Sequence, residues 1–261
     1  DFTAQERAAN PRFTLLPDAI HPGPGGHVIM ASVLLETLRP DRRAVSAINL
    51  TRIGEQWRAA PTLKIAHLAG DATHVSFAFT ASALPWVVPP EGSSTPQKWG
   101  WQEDARLGFE LTKAGHKLGN EMGRIAGLAP GSYEIKIDGQ SIGKPISHVT
   151  LGAKIELQAN EATPQYRQAL QVALLNRERN DRAVRPLREI WSKVKGVRKK
   201  SAKDPAAFAE FMRATRPEID RLEQLAREFE DRIYVAAQPV PRRYEITRVA
   251  TPTPPPAKKQ R

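Results

Sequence analysis

The 261-residue sequence contains no cysteine. That excludes a disulfide framework, a thiol nucleophile and a thiolate metal site. It has no run of 18 or more apolar residues, so no transmembrane helix is expected. Aromatic residues are scarce, at 7%, and 28 Asp+Glu are outnumbered by 39 Lys+Arg. There is no glycine-rich phosphate loop. No pair of carboxylates has the spacing of a two-carboxylate glycosidase. His67, His74, His116 and His148 are scattered, without a carboxylate or second histidine at ligand spacing. Neither a metal nor a cofactor is therefore expected. What the chain does have is 40% hydrophobic and 26% charged residues. That suffices for a packed core and excludes a wholly disordered, collagenous or coiled-coil chain.

The net charge of +11 is concentrated. Residues 177–203 hold eleven basic and three acidic side chains, which gives this stretch alone +8. A solvated helix face explains such a run, and an anionic partner is the alternative. Trp191 is the aromatic within it, and its spacing with Leu187, Ile190 and Val194 predicts that it points inward. Base stacking needs exposed aromatics among the charges, so no specific nucleic-acid partner is expected.

Periodicity divides the chain. Arg12 to Leu16 reads as a short strand. Pro17 to Gly26 carries too much proline and glycine for regular structure. His27 to Leu38 has helical length and apolarity, and Pro40 stops it. Strand, loop, helix is an α/β pattern, with the loop where sites collect in open α/β sheets. Residues 44–81 alternate as strands, and further strands are expected at 106–111, 117–125 and 132–137. Asp138-Gly139 supplies a turn. Trp57, Trp86, Trp99 and Trp101 fall in this β-rich part, where packing accounts for them and stacking on a sugar ring is the alternative. Residues 91–102 read as a loop. From residue 161 the period becomes helical. Thr163-Pro164 and Asp204-Pro205 are cap-plus-proline starts, and Pro186 and Pro217 are interruptions. The two segments read as a helical hairpin about the basic turn. A last strand is expected at 243–249, before a low-complexity tail. The resulting division is 1–40, the end of an α/β domain; 41–160, a small mainly β module; 161–236, helical; and 237–261, final strand and disordered Pro/Lys-rich tail.

The chemistry concentrates in Leu15 to Ala31, LLPDAIHPGPGGHVIMA. Asp18 and His21 sit three apart on the loop. Imidazole suits proton transfer near neutrality, and a carboxylate on its far nitrogen fixes the tautomer and stabilises the imidazolium. Asp-x-x-His alone is a common turn. The longer string, Asp18-x-x-His21-Pro22, Gly26-His27 and Met30-Ala31 in an apolar helix, resembles the final block of SGNH/GDSL-type hydrolases. Weaker similarity to exported bacterial members runs through Ala83 to Trp86, Gly127 to Tyr133, Ile137 to Gly143 and a helix near Thr163. It covers about residues 10–200.

The resemblance implies the carboxyl-terminal strand–loop–helix of an incomplete flavodoxin-like α/β domain, then the β module and helical hairpin. It implies ester hydrolysis by a Ser-His-Asp triad, with His21 as general base, Asp18 as its orienting carboxylate and His27 in a structural role at the helix start. It also implies a small-molecule or carbohydrate-linked ester as substrate and export from a bacterial cell. The departure is the nucleophile. No Gly-Asp-Ser string occurs, Gly70-Asp71-Ala72 lacks the hydroxyl, and seventeen residues precede Asp18. The expectation is the carboxyl-terminal part of a longer enzyme, inactive alone, with its serine upstream. The alternatives are a non-enzymatic interaction module with a basic hairpin, and a catalytically degenerate family member.

Overall fold

A computed structural model describes residues 2–11, 13–16, 18, 20–38, 44–60, 64–88 and 105–250. The loop expected at 91–102, with Trp99 and Trp101, and the low-complexity tail lie outside the described residues. The fold is mixed α/β, with two sheets and helices. Contacts divide it into two units, Asp1–Arg167 with Pro239–Arg261, and Gln168–Gln238.

The first unit opens with α1 (Phe2–Ala9) and α2 (Pro24–Leu38). β1 (Ser46–Ile53), β2 (Gln56–Ala59), β3 (Ile65–Gly70) and β4 (His74–Phe79) follow. After α3 (Ala105–Thr112) and α4 (Ala114–Leu118) come β5 (Glu121–Ala126), β6 (Ser132–Ile137), β7 (Gln140–Ser141) and β8 (Ile146–Ser147). Then come α5 (His148–Ala153), β9 (Ile155–Glu156) and α6 (Pro164–Arg179), whose first residues belong to this unit; β10 (Arg242–Val249) returns to it.

One sheet has the order β2-β1-β5-β9, with β1 and β5 parallel. The other is antiparallel, β3-β4-β10-β6-β7, with β8 also on β6. Alternation puts Ile48 and Leu50 of β1, Val75 and Phe77 of β4, Ile135 and Ile137 of β6 and Ile246 of β10 into one shared core. Tyr244 is directly opposite Phe77, and their rings stack at 5.0 Å. This cross-strand pair reinforces β10 at the middle of its sheet. Asp138 and Gly139 take φ of 50° and 79°, the left-handed pair of a two-residue hairpin. The Asp138 carboxylate accepts the Arg243 N–H at 2.8 Å and pairs with Arg242 at 2.9 Å, which joins the turn to β10.

Two expectations fail here. Residues 13–16 form no strand. An extended segment needs a neighbour for its ladder, and this one bonds within its own loop, Gly23 N–H donating to the Leu15 carbonyl at 3.0 Å. The strand expected at 106–111 is α3, whereas the one expected at 117–125 is present as β5 from Glu121, with 117–118 closing α4. Leu107 and Leu111 are four apart, a helical spacing as much as a strand fragment.

In the second unit α6 passes through a π-helical turn, Asn180–Val184, into α7 (Arg185–Lys200); α8 (Pro205–Ala236) then packs against α7. The Asp204 side chain caps α8 by accepting the Ala207 N–H at 3.0 Å. α8 continues through Pro217 rather than breaking there. Val194, Ile219, Leu222 and Phe229 are buried. Trp191 is not. It is 42% exposed, contrary to the inward direction expected of it. On α7 it stands between Arg188 and Lys195, three before and four after, so it shares their face.

Candidate active site

Asp18 and His21 lie on the loop that enters α2, and the loop holds them in contact. One carboxylate oxygen of Asp18 accepts the backbone N–H of Ile20 at 3.0 Å and that of His21 at 2.6 Å. This is the local turn that aspartate makes with its own backbone. The other oxygen meets His21 Nδ1 at 2.7 Å. The His21 bond, followed by the two backbone donors, holds the Asp18 pKa down at about 2, against 3.8 ordinarily. An ionised carboxylate can only accept, so Nδ1 carries the hydrogen, and in the neutral imidazole Nε2 then presents its lone pair. Both side chains are open, 66% exposed for His21 and 44% for Asp18.

The helix after them is anchored on one side. Gly108 of α3 approaches α2 so closely that a Cβ there would fall 2.1 Å from the Gly25 carbonyl oxygen. Ser32, fully buried, bonds Thr112 at 3.2 Å across the same contact. His27 Nδ1 bonds the Gly23 carbonyl at 3.0 Å, within the first turn of α2. The other side of α2 is apolar and bare. Met30, Val33, Leu34 and Leu38 are each more than half exposed, as is Ile20 beside the dyad.

No described serine or threonine hydroxyl bonds His21. Gly70-Asp71-Ala72 forms the β3–β4 turn, where the Asp71 carboxylate accepts from Thr73 and His74. The other histidines are dispersed: His74 bonds Thr247, and the His148 ring accepts the Gly131 N–H. Among the described residues no three metal-binding side chains cluster.

Two features carried no sequence signal that was used. The first is a cleft of about 260 Å³ lined by residues of α3 and α4, Trp86 to Val88, and 158–166. His116 on its rim bonds Glu156 through Nδ1 at 3.0 Å. Lys154, then His116, hold the Glu156 carboxyl down at about 2. The second is Glu121, 2% exposed, whose pKa burial pushes up to about 7. The alternation of Glu121, Gly123 and Ile125 along β5 would have pointed it inward.

No protein-family model and no curated protein matches the chain. A solved structure does, that of a gut microbial diltiazem-metabolizing enzyme, with TM-score 0.70 and 23% identity. The match covers 95% of this chain and 60% of that one. The likeness is one of fold, and this chain spans about three-fifths of the other's length. Among the described residues no helix is long and apolar enough to cross a membrane.

Proposed function

We propose that the chain supplies the His-Asp part of a serine ester hydrolase of SGNH/GDSL type, with the serine on a segment outside these 261 residues. The observation that carries the reading is the 2.7 Å contact of His21 Nδ1 with an ionised Asp18, which leaves Nε2 open. The bare apolar face of α2 beside it supports the reading, since such a face suits the interior of a larger α/β domain. The fold shared with a longer protein described as an enzyme supports it further.

In this mechanism the serine oxygen attacks the ester carbonyl carbon while its proton passes to His21 Nε2. The tetrahedral adduct collapses, the C–O bond breaks, and His21 returns the proton to the departing alcohol. Water then gives His21 a proton, attacks the acyl-enzyme, and releases the acid as the serine recovers its hydrogen. Asp18 remains ionised throughout and stabilises the imidazolium. The substrate is a carboxylic ester, including an acyl group on carbohydrate, and the parent protein is exported.

The test has two parts. A fluorophosphonate probe should label no serine of this chain alone, and a labelled serine would defeat the split-triad assignment. In the protein extended upstream to include a Gly-Asp-Ser block, His21→Ala should lower kcat on the order of 10⁴-fold or more. Near-normal turnover in a folded His21→Ala protein, or an upstream coding sequence without such a block, would overturn it.

A further inference from the structure

We propose that the cleft beside α3 and α4 is a binding site for a neutral pyranose ring. It shares no residue with the Asp18–His21 pair and does not depend on the ester-hydrolase reading.

The apolar part of the cleft is a corner. Trp86 and Phe109 meet at 84°, with centroids 5.5 Å apart, so the two rings stand as perpendicular walls. Val87, Val88 and Tyr166 line the cleft beside them, each less than a tenth exposed. Aromatic faces carry negative charge density that attracts the slightly positive C–H groups of a flat ring. The volume, about 260 Å³, lies below the ~300–1,000 Å³ of sites for drug-sized ligands, so the occupant is small.

The polar part selects against a charged occupant. Arg106 and Lys113 line the cleft, and so do Glu110 and Glu161. Two fixed positive and two fixed negative groups give an ionic ligand as much repulsion as attraction. A hydroxyl both donates and accepts, so it can use groups of either sign. His116 adds a donor or acceptor at Nε2, its ring held through Nδ1 by Glu156. Gln158 is held in turn, accepting the Glu121 N–H at 3.2 Å and donating to Glu156 at 2.7 Å. An apolar corner under a rim of mixed sign, with polar groups braced from behind, matches a ring whose faces are C–H and whose edge is hydroxyl.

The experiment is saturation-transfer NMR on the full chain with the methyl pyranosides of glucose, galactose, mannose and xylose. At least one should bind in the millimolar range, receive saturation at its ring C–H protons, and shift the Trp86 indole N–H resonance. Ala159→Trp, at an exposed lining position, should fill the cleft and weaken binding at least tenfold with the circular dichroism unchanged. Should that variant misfold, Lys113→Gln on the exposed rim is the second test, with an expected weakening of at least threefold. Binding by none of the four sugars would overturn the proposal. So would unchanged affinity in both folded variants, or tighter binding of 4-phenylbutyrate or phenethylamine than of every pyranoside.

Discussion

At Glu121 a carboxyl group is buried between strand ends, hydrogen-bonded by Gln165, with Oε2 lacking a partner among the described residues. Ionising it there costs the desolvation of a charge, so its pKa rises from 4.5 to about 7. The folded state holds this proton more tightly than the unfolded chain does. The contribution of this group to stability is therefore greatest below pH 4.5, falls as pH rises, and is fully lost above about pH 7. The loss is about 3 kcal/mol. Glu121→Gln, which keeps the shape and removes the charge, should stabilise the protein by roughly that amount at pH 8 and by little at pH 4.5. Urea unfolding at the two pH values measures it; equal effects at both would count against a titrating Glu121. Asp18 has the opposite sign. It should still be ionised at pH 3, and a carbonyl-carbon NMR titration with a midpoint at or above 3.8 would refute the contact with His21 as drawn. Asp18 was legible in the sequence because its partner is three residues away. For Glu121 the alternation along β5 gives its inward direction, but its partner Gln165 lies far along the chain, so its raised pKa was not legible.

Among the elements, α2 meets α3 at a close glycine–backbone contact. A methyl group at Gly108 meets the Gly25 backbone, which cannot turn aside as a flexible side chain would. Gly108→Ala should separate α2 from α3 and cost about 1–3 kcal/mol, as overpacking does. It should also move the loop that carries the dyad. A falling melting temperature together with displaced His21 imidazole resonances is the expected pair of observations. An unchanged His21 signal would show that the loop is set independently of this contact. Helix α2, the strands β1, β4, β6 and β10, and both cap-plus-proline starts were legible, because each is encoded by neighbours in sequence. The elements at 105–118 were not. Their apolar spacing suits a short helix or a short strand, and their contact with α2 decides. Pro217 misled for a related reason. One missing N–H and a local clash are tolerated in a long helix whose buried residues just beyond the proline, Ile219 and Leu222, anchor it.

For the molecule as a whole, charge is unevenly distributed, with +8 of the +11 in residues 177–203. The basic run of residues 177–203 places Arg198, Lys199 and Lys200 in the open at the end of α7, and Trp191 is open as well. Polyanion binding through such a face should be weak and largely lost between about 50 and 200 mM salt. Fluorescence anisotropy with labelled DNA and RNA tests this. Sub-micromolar affinity at the higher salt, reduced by Trp191→Ala and by replacing the three basic residues, would favour the interaction-module reading instead. The cleft could not be read from the sequence at all, since its walls come from positions 86 to 166 and no local period records their meeting.

The middle position of β10 has a temporal consequence. A ribosome releases β4 and β6 first, and Arg242 follows Asp138 by 104 positions. Until those last residues emerge, the six-stranded sheet has an open slot with raw strand edges on both sides, available to a chaperone or to another nascent chain. The helices of 168–238 are built from local contacts and can form during that interval. A message cut short before Arg242 would leave β3-β4 and β6-β7 as separate hairpins with nothing between them.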